Sequence, residues 1–157
     1  MKKIFSVSHH ANAIDLAVFI ARIGIGVLML VHGLPKLEKL FSGDPVQFAS
    51  VMGMSPAVSL ALAVFAEVFC SLLLIVGFAT RLAVIPLIIT MLVAVLSIHA
   101  SDPFAKQEPA VHYLLVYIVL LLTGSGKYSI DGLLSAHSNK KALTGTTREK
   151  TSFSLSR

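Results

Sequence analysis

Four stretches of this chain are too apolar, and too long, to lie on the surface of a water-soluble domain. They span about Ala13 to Leu34, Ala57 to Phe78, Leu82 to His99 and Pro109 to Thr123. A bilayer core ~30 Å thick is crossed by ~20 helical residues, with a range of ~17–25. The first two runs meet that length, the third is at its short end and the fourth is shorter. A short span is accommodated by thinning the bilayer or by helix that extends past its apolar limits; a re-entrant segment is the competing reading for the fourth. Composition points the same way. Hydrophobic residues make up 55% and charged residues 13%, against ~25% charged in soluble domains. The expected fold is an all-α, integral membrane four-helix bundle.

Helix breakers fall between these runs. Gly33-Leu34-Pro35 is expected to close the first. Ser55-Pro56 is placed to start the second, with Ser55 as N-cap and Pro56 at the first helical position. Gly77 closes the second, Asp102-Pro103 and Pro109 bracket the next connection, and Gly124-Ser125-Gly126 ends the fourth. Pro86 lies in the first turns of the third. Ser129 is placed to N-cap a short helix from Ile130 to Leu134. Met1-Lys2-Lys3 resembles the start of a secretory signal, but Ile4 to Val7 is shorter than an h-region of ~7–15 apolar residues. The organisation expected is a short cytoplasmic N-terminal segment (1–12), a membrane domain (13–135) and a basic, disordered cytoplasmic tail (136–157).

The net charge of +5 does not read as nucleic-acid binding, because the basic residues do not cluster on one folded face. They sort by topology instead. Lys2, Lys3, Arg81, Lys127, Lys140, Lys141, Arg148, Lys150 and Arg157 fall on the side of the termini; Lys36, Lys39 and Lys106 fall on the other. The positive-inside rule then places both termini in the cytoplasm. The bilayer is the partner this composition requires, and anionic lipid is available to the tail. An exposed apolar face is open to a second copy of the chain or to a different subunit.

Arg22 and Glu67 fall inside the first and second runs, where a charge costs ~2.5–3.5 kcal/mol on insertion scales. Measured from the expected helix ends, they lie ~13 Å and ~16 Å from the cytoplasmic boundary, which predicts an ion pair between antiparallel neighbours. Arg22 shares a helix face with Gly26, Gly33 and Lys36, and Glu67 with Ser59, Ala63, Cys70 and Ser71; small residues at these spacings allow close packing. Such a pair either fixes helix register or lines a ligand cavity. A second group, His32, Lys36, His99, Glu108 and His112, collects at the opposite membrane face. Three histidines are able to ligate haem or a metal, but no two show metal-ligand spacing on one helix. Hydrogen bonding to the polar head of a small lipophilic ligand is the favoured role, and headgroup contact is the bland one. Arg81 and Asp131 are expected to pair on the cytoplasmic face. Cys70, buried near Glu67 and without a second cysteine, is not read as a redox nucleophile. No nucleophile elbow, P-loop, zinc-protease or dinucleotide motif occurs.

Arg22-Ile-Gly24 followed by His32-Gly33-Leu-Pro-Lys36 resembles the first helix of the DoxX family. So do Glu67 with Leu74-Ile-Val-Gly77-Phe-Ala-Thr80-Arg81, and the closing Gly124-Ser-Gly126-Lys-Tyr-Ser129-Ile-Asp131. The resemblance covers about Asp15 to Leu134. It implies a small, multi-pass protein of the bacterial inner membrane, with Arg22, His32, Lys36, Glu67 and Arg81 at matched family positions. Some members are subunits of a thiosulfate–quinone oxidoreductase, so it also implies a quinone-interacting subunit that takes electrons from a redox partner protein. A non-enzymatic scaffold or small-molecule carrier, and a haem-bearing electron carrier, are the other readings. The ligand-binding candidates are Arg22, His32, Lys36, Glu67, His99 and His112.

Overall fold

The computed structural model describes residues 11–137, and every regular element among them is helical. We number these α1 (Ala11–Phe41), α2 (Pro56–Val76), α3 (Thr80–Ile98), α4 (Phe104–Thr123) and α5 (130–137). Most of the expected basic tail, and residues 1–10, lie outside the described residues. Helices α1, α2 and α3 are long and apolar enough to cross a membrane. Helix α4 has 20 residues, but Lys106, Gln107, Glu108 and His112 lower the hydropathy of its first half. Large apolar side chains such as Val31, Leu62, Leu82 and Leu122 are exposed on all four. A surface of that kind is stable against lipid rather than water.

Two helices outrun their apolar runs. The expected stop at Gly33-Leu34-Pro35 does not occur: α1 continues through Pro35 to Phe41. Likewise α4 begins at Phe104 and carries Pro109 inside it. A proline within a helix frees the carbonyl four residues earlier. Here those carbonyls belong to Val31 and Ala105, both at exposed positions, so neither is trapped in the packed interior. Other local signals are obeyed. Ser55 accepts a hydrogen bond from the Val58 N–H, with Pro56 at the first helical position. Gly77, in the left-handed region at φ +72°, ends α2, with Phe78 N–H donating to Leu73 O and Gly77 N–H to Leu74 O, the hydrogen-bond pair of a Schellman cap. Ser129 caps α5 through the Gly132 N–H at 2.9 Å.

The register of α1 on α2 is set by close approach at small residues. A Cβ on Gly26 would meet Ile75 Cγ1 at 2.7 Å and Ser71 O at 3.3 Å; one on Gly33 would stand 3.0 Å from the Glu67 backbone carbon and Cβ. Glu67 is thus level with Gly33, about 16 Å of helix from Arg22 at 1.5 Å per residue. The expected Arg22–Glu67 ion pair is therefore not formed. A helical side chain leans toward the N-terminus of its own helix, so Arg22 reaches back toward the end of the bundle that carries the start of α1. There its Nη1 and Nη2 donate to Ser125 O at 2.7 Å and Tyr128 O at 2.6 Å, and its guanidinium carbon lies 5.8 Å from the Phe19 ring centroid.

The same end is tied together by backbone capping. Asp131 accepts from Ala79 N–H at 2.9 Å and Thr80 N–H at 3.2 Å, and its own N–H donates to Gly77 O at 3.0 Å. An anion at a helix N-terminus meets unpaired N–H groups and the positive end of the dipole. This is why the expected Arg81–Asp131 pair is not formed: the carboxylate is engaged at the start of α3. Arg81 instead donates to Leu122 O at 3.2 Å, a free carbonyl near the end of α4. Asp15 accepts from Lys127 N–H at 3.0 Å.

Between these ends the apolar core is built from Met29, Leu74, Val84, Leu87, Tyr117 and Leu120, with Cys70 among them. At the far end, the connection between α3 and α4 is a short polar network. His99 Nδ1 lies 2.8 Å from Asp102 Oδ2, Lys106 Nζ is 3.5 Å from Asp102 Oδ1, and Gln107 Nε2 donates to His99 O at 2.8 Å. The His99 hydrogen bond, helped by Lys106, holds the Asp102 carboxyl below the usual carboxylate range.

Two outcomes follow. Gly77→Ala forces a Cβ into the left-handed region and against the Arg22 guanidinium and Ser129. It should lower stability by about 2 kcal/mol or more, since the backbone term alone is ~1–2 kcal/mol. Gly43 has φ +77° but open space around it, so Gly43→Ala should show the backbone term only. Thermal unfolding in detergent, followed by circular dichroism, measures both; equal losses would refute the packing account. Secondly, a depressed folded-state pKa for Asp102 means that its contribution is complete above the ordinary carboxylate value and disappears as pH falls through the lowered one. Amide exchange of residues 100–107 should accelerate in that acid window before the helix interiors respond, and no change there would count against the network.

Candidate functional site

The far end of the bundle holds a cavity of about 570 Å³ between α1, α2, α3 and α4. That is within the ~300–1,000 Å³ typical of small-molecule sites. Its buried wall is apolar, with Met29, Ala63 and Met91; Phe48, Val51 and Met52 of the α1–α2 connection also line it. Leu62, Ile89 and Met52 line the cavity and are also surface residues, at 51%, 55% and 87% exposure. The cavity therefore reaches the molecular surface.

Its charged wall is an ion pair that spacing alone did not reveal. Lys36 Nζ lies 2.5 Å from Glu67 Oε1, with Glu67 almost wholly buried and the Lys36 side chain 30% exposed. The pairing follows from the extension of α1. Because the helix continues past Pro35, Lys36 is helical, and its side chain leans back toward the level of Gly33. Gly33 in turn brings α1 onto Glu67. An isolated carboxylate here would face a large desolvation penalty, which the neighbouring ammonium offsets. The second oxygen, Glu67 Oε2, is buried and without a hydrogen-bond partner.

Two π turns border the cavity. Phe65–Cys70 contains Glu67, and Ala94–Ile98 leads directly into His99. Such turns widen the helix by one residue, shift which side chains face inward, and recur at functional sites. The first places Glu67, Ala66 and Cys70 inside while Phe65 and Phe69 stack outside, ring centroids 5.4 Å apart.

The structure brings four of the six ligand-binding candidates together: His32, Lys36, Glu67 and His99 line the cavity. Arg22 is at the opposite end of the bundle, bound to the backbone carbonyls described above. His112 is exposed on α4 and is not among the lining residues. Arg81 and Asp131 serve the capping contacts of that same end, away from the cavity. Tyr113 and Lys106 are among the lining residues that were not anticipated. Tyr113 packs edge-on against His32, ring centroids 5.7 Å apart at 85°, and Lys106 lines the cavity beside Asp102. Tyr113 had a readable signal: with Ala110, Tyr117 and Leu120 it forms the inward stripe of α4 at helical spacing, while the neighbouring His112 points away. Among the described residues no group of three His, Cys, Asp or Glu side chains is placed to hold a metal ion.

Comparison with known proteins agrees with this architecture. The chain is 30% identical over 121 residues to "Inner membrane protein YphA" of Escherichia coli (strain K12), covering 71% of this chain and 86% of that protein. It is 26% identical over 121 residues to "Putative oxidoreductase CatD" of Bacillus subtilis (strain 168), covering 76% of this chain and 88% of that one. No solved structure matches it. The family model named DoxX matches residues 17–100. That segment holds Arg22, Gly33, Lys36, Glu67, Gly77 and His99, and with them the helix register and three sides of the cavity: the chain is a membrane protein of the DoxX family.

Proposed function

We propose that this protein is a quinone-interacting subunit of the bacterial inner membrane that works with a redox partner protein. The observation that carries the reading is the cavity itself: a largely apolar chamber with a Lys36–Glu67 pair, its carboxylate buried, and with His32 and His99 on its walls. An apolar ring and tail fit the Met29, Leu62, Ile89 and Met91 wall. The ring oxygens fit the polar groups, with Lys36 to stabilise developing negative charge and His32, His99 and Glu67 to exchange protons. Electrons come from the partner protein. One relative's printed name mentions an oxidoreductase and another's the inner membrane, and both support the reading without defining a reaction. In this topology α4 is a fourth crossing and both termini face the cytoplasm. The extension of α4 to Phe104 gives it the length to span, and the basic residues supply the orientation.

The alternative, a carrier that moves a small molecule without redox chemistry, is served by the same cavity. Binding and activity separate the two. A short-chain benzoquinone should bind the purified protein in detergent, and an organic extract of the protein should contain quinone. A protein that neither binds nor carries quinone refutes the proposal; bound quinone with vesicle flux but no redox coupling favours the carrier.

The ion pair gives a further outcome. Lys36→Met alone leaves Glu67 buried and unpaired and should cost about 3 kcal/mol, the lower part of the ~3–5 kcal/mol for breaking a buried pair, because Lys36 is partly exposed. The double variant Lys36→Met with Glu67→Gln removes both charges and should regain most of that stability. It should still lose quinone binding by roughly tenfold, the weight of one charge-assisted hydrogen bond. Thermal unfolding and equilibrium binding on the same samples distinguish the effects; a stable double variant with unchanged binding would make the pair structural only.

A further inference from the structure

One wall of the cavity is not helical. We infer that residues 44–52, between α1 and α2, form a hinged strap, and that a ligand reaches the cavity from the loop end by displacing it. This rests on the reading of the cavity as a ligand site, and not on the ligand being a quinone.

The strap contributes Phe48, Ala49, Val51 and Met52 to the lining, yet little holds it there. Residues 45–51 have no regular secondary structure. Two side chains tether the segment. Lys39 Nζ donates to Gln47 O, and Ser59 Oγ accepts from Val51 N–H at 3.2 Å. Both tethers come from cavity-forming helices: Lys39 follows Lys36 on α1, and Ser59 precedes Glu67 on α2. Phe48 and Val51 are half-buried, while Pro45, Gln47, Ala49 and Ser50 are exposed. A segment with few buried apolar contacts and few backbone bonds opens more easily than the elements around it. The helical walls are fastened differently. Gly33 packs on Glu67, Lys36 pairs with it, and Gln107 Nε2 donates to His99 O and Asp102 O at 2.8 and 3.1 Å. The strap is therefore the wall that yields first.

Its ends are built to turn. Gly43 and Gly53 both have φ of +77°, and a Cβ on either would meet nothing within 4 Å. Both are free to absorb a change in φ and ψ without a clash, which is what a hinge requires. Beside the second hinge lies Met52, at φ +51°. Met54 N–H donates to Val51 O at 3.0 Å, so Met52 and Gly53 are the central residues of a turn in which both φ are positive. That is the pattern of a type I′ turn, where Asn-Gly is favoured. A methionine at this position is strained, and strain of this kind collects at switch segments. Opening the turn relieves Met52 and so makes release of the strap easier.

The test uses the full chain in detergent, with a reporter cysteine in the buried cavity wall: Ala63→Cys in a Cys70→Ala background. Its reaction is followed with a charged, water-soluble methanethiosulfonate and with an alkyl maleimide that partitions into the detergent. Lys39 does not line the cavity, so Lys39→Met changes the tether alone. It should speed the charged reagent about threefold or more, the weight of one modest hydrogen bond. Lys39→Arg, which keeps a donor, should stay near the parent rate. Ile89→Ala, which trims an exposed lining residue of α3, should leave the charged reagent's rate nearly unchanged. Acceleration by Ile89→Ala and none by Lys39→Met, or reaction with the maleimide alone, overturns the inference and makes entry lateral. Hydrogen exchange needs no reporter: the Val51 and Met54 amides should exchange faster in Lys39→Met and slower in Met52→Asn, whose asparagine fits the turn. Faster exchange in both variants overturns the hinge. A short-chain benzoquinone should associate and dissociate faster in Lys39→Met. Strap-controlled cysteine reactivity with no quinone binding overturns the quinone reading and keeps the strap; quinone binding whose kinetics ignore Lys39 does the reverse.

Discussion

A carboxylate buried among apolar helices must be neutralised where it stands, and the loop end of this protein is organised around meeting that demand for Glu67. The partner, Lys36, lies beyond a glycine and a proline that would ordinarily end a helix. Its placement requires α1 to remain helical through Pro35 to Phe41, and Gly33 lets α1 press onto the Glu67 backbone. Helix length, close packing and charge pairing are thus one solution. Without the extra turns of α1 the ammonium would leave the helix and the carboxylate would lose its counter-ion. Without Gly33 a Cβ would separate the helices at the level where the pair must form.

The opposite end solves a similar problem with different chemistry. Arg22 is as buried as Glu67, at 1% exposure, but its partners are backbone carbonyls of the segment after α4, not a carboxylate. The planar guanidinium suits two carbonyls presented by a turn. Gly77 leaves room for it, and Asp131 fixes the neighbouring turn by capping α3. Chain segments far apart in sequence are joined here, which clamps α4 and α5 onto the α2–α3 turn. The apolar core between the two ends then needs only lipid-like side-chain packing.

Much of this was legible in the residues. The apolar runs, the Ser55 and Ser129 caps, the Gly77 stop and the small-residue faces of α1 and α2 are local signals, and local signals survive folding because neighbouring residues enforce them. The pairing of charges was not legible, since depth was counted from expected helix ends, and α1 and α4 both run on past theirs. An error of a few residues at a helix end becomes ~1.5 Å per residue in depth, enough to assign a partner wrongly. The π turns were invisible for another reason: they carry no residue signature, yet they decide which way Glu67 faces and where α3 delivers His99. Asp131 was assigned to Arg81, a cation expected on the same membrane face, because opposite charges are easy to read, whereas free N–H groups at a helix start leave no mark in the side-chain pattern.

Charge at membrane depth is therefore an incomplete guide to function, and what lies beside the charge is a better one. Arg22 gives both terminal nitrogens to carbonyls, leaves its buried Nε without a partner, lies against Phe19 and fills the space that Gly77 leaves. Glu67 is held by one oxygen only, beside a cavity, with two π turns and a carboxylate-bound imidazole on the same walls. Folding alone has no use for a chamber of that size next to a half-satisfied carboxylate. Filling it with side chains would gain dispersion contacts, and two apolar residues in place of the pair would remove its desolvation penalty. Retaining both at the loop end, and neither at the clamp, is what supports the proposed division of the bundle, with stability at one end and ligand recognition at the other.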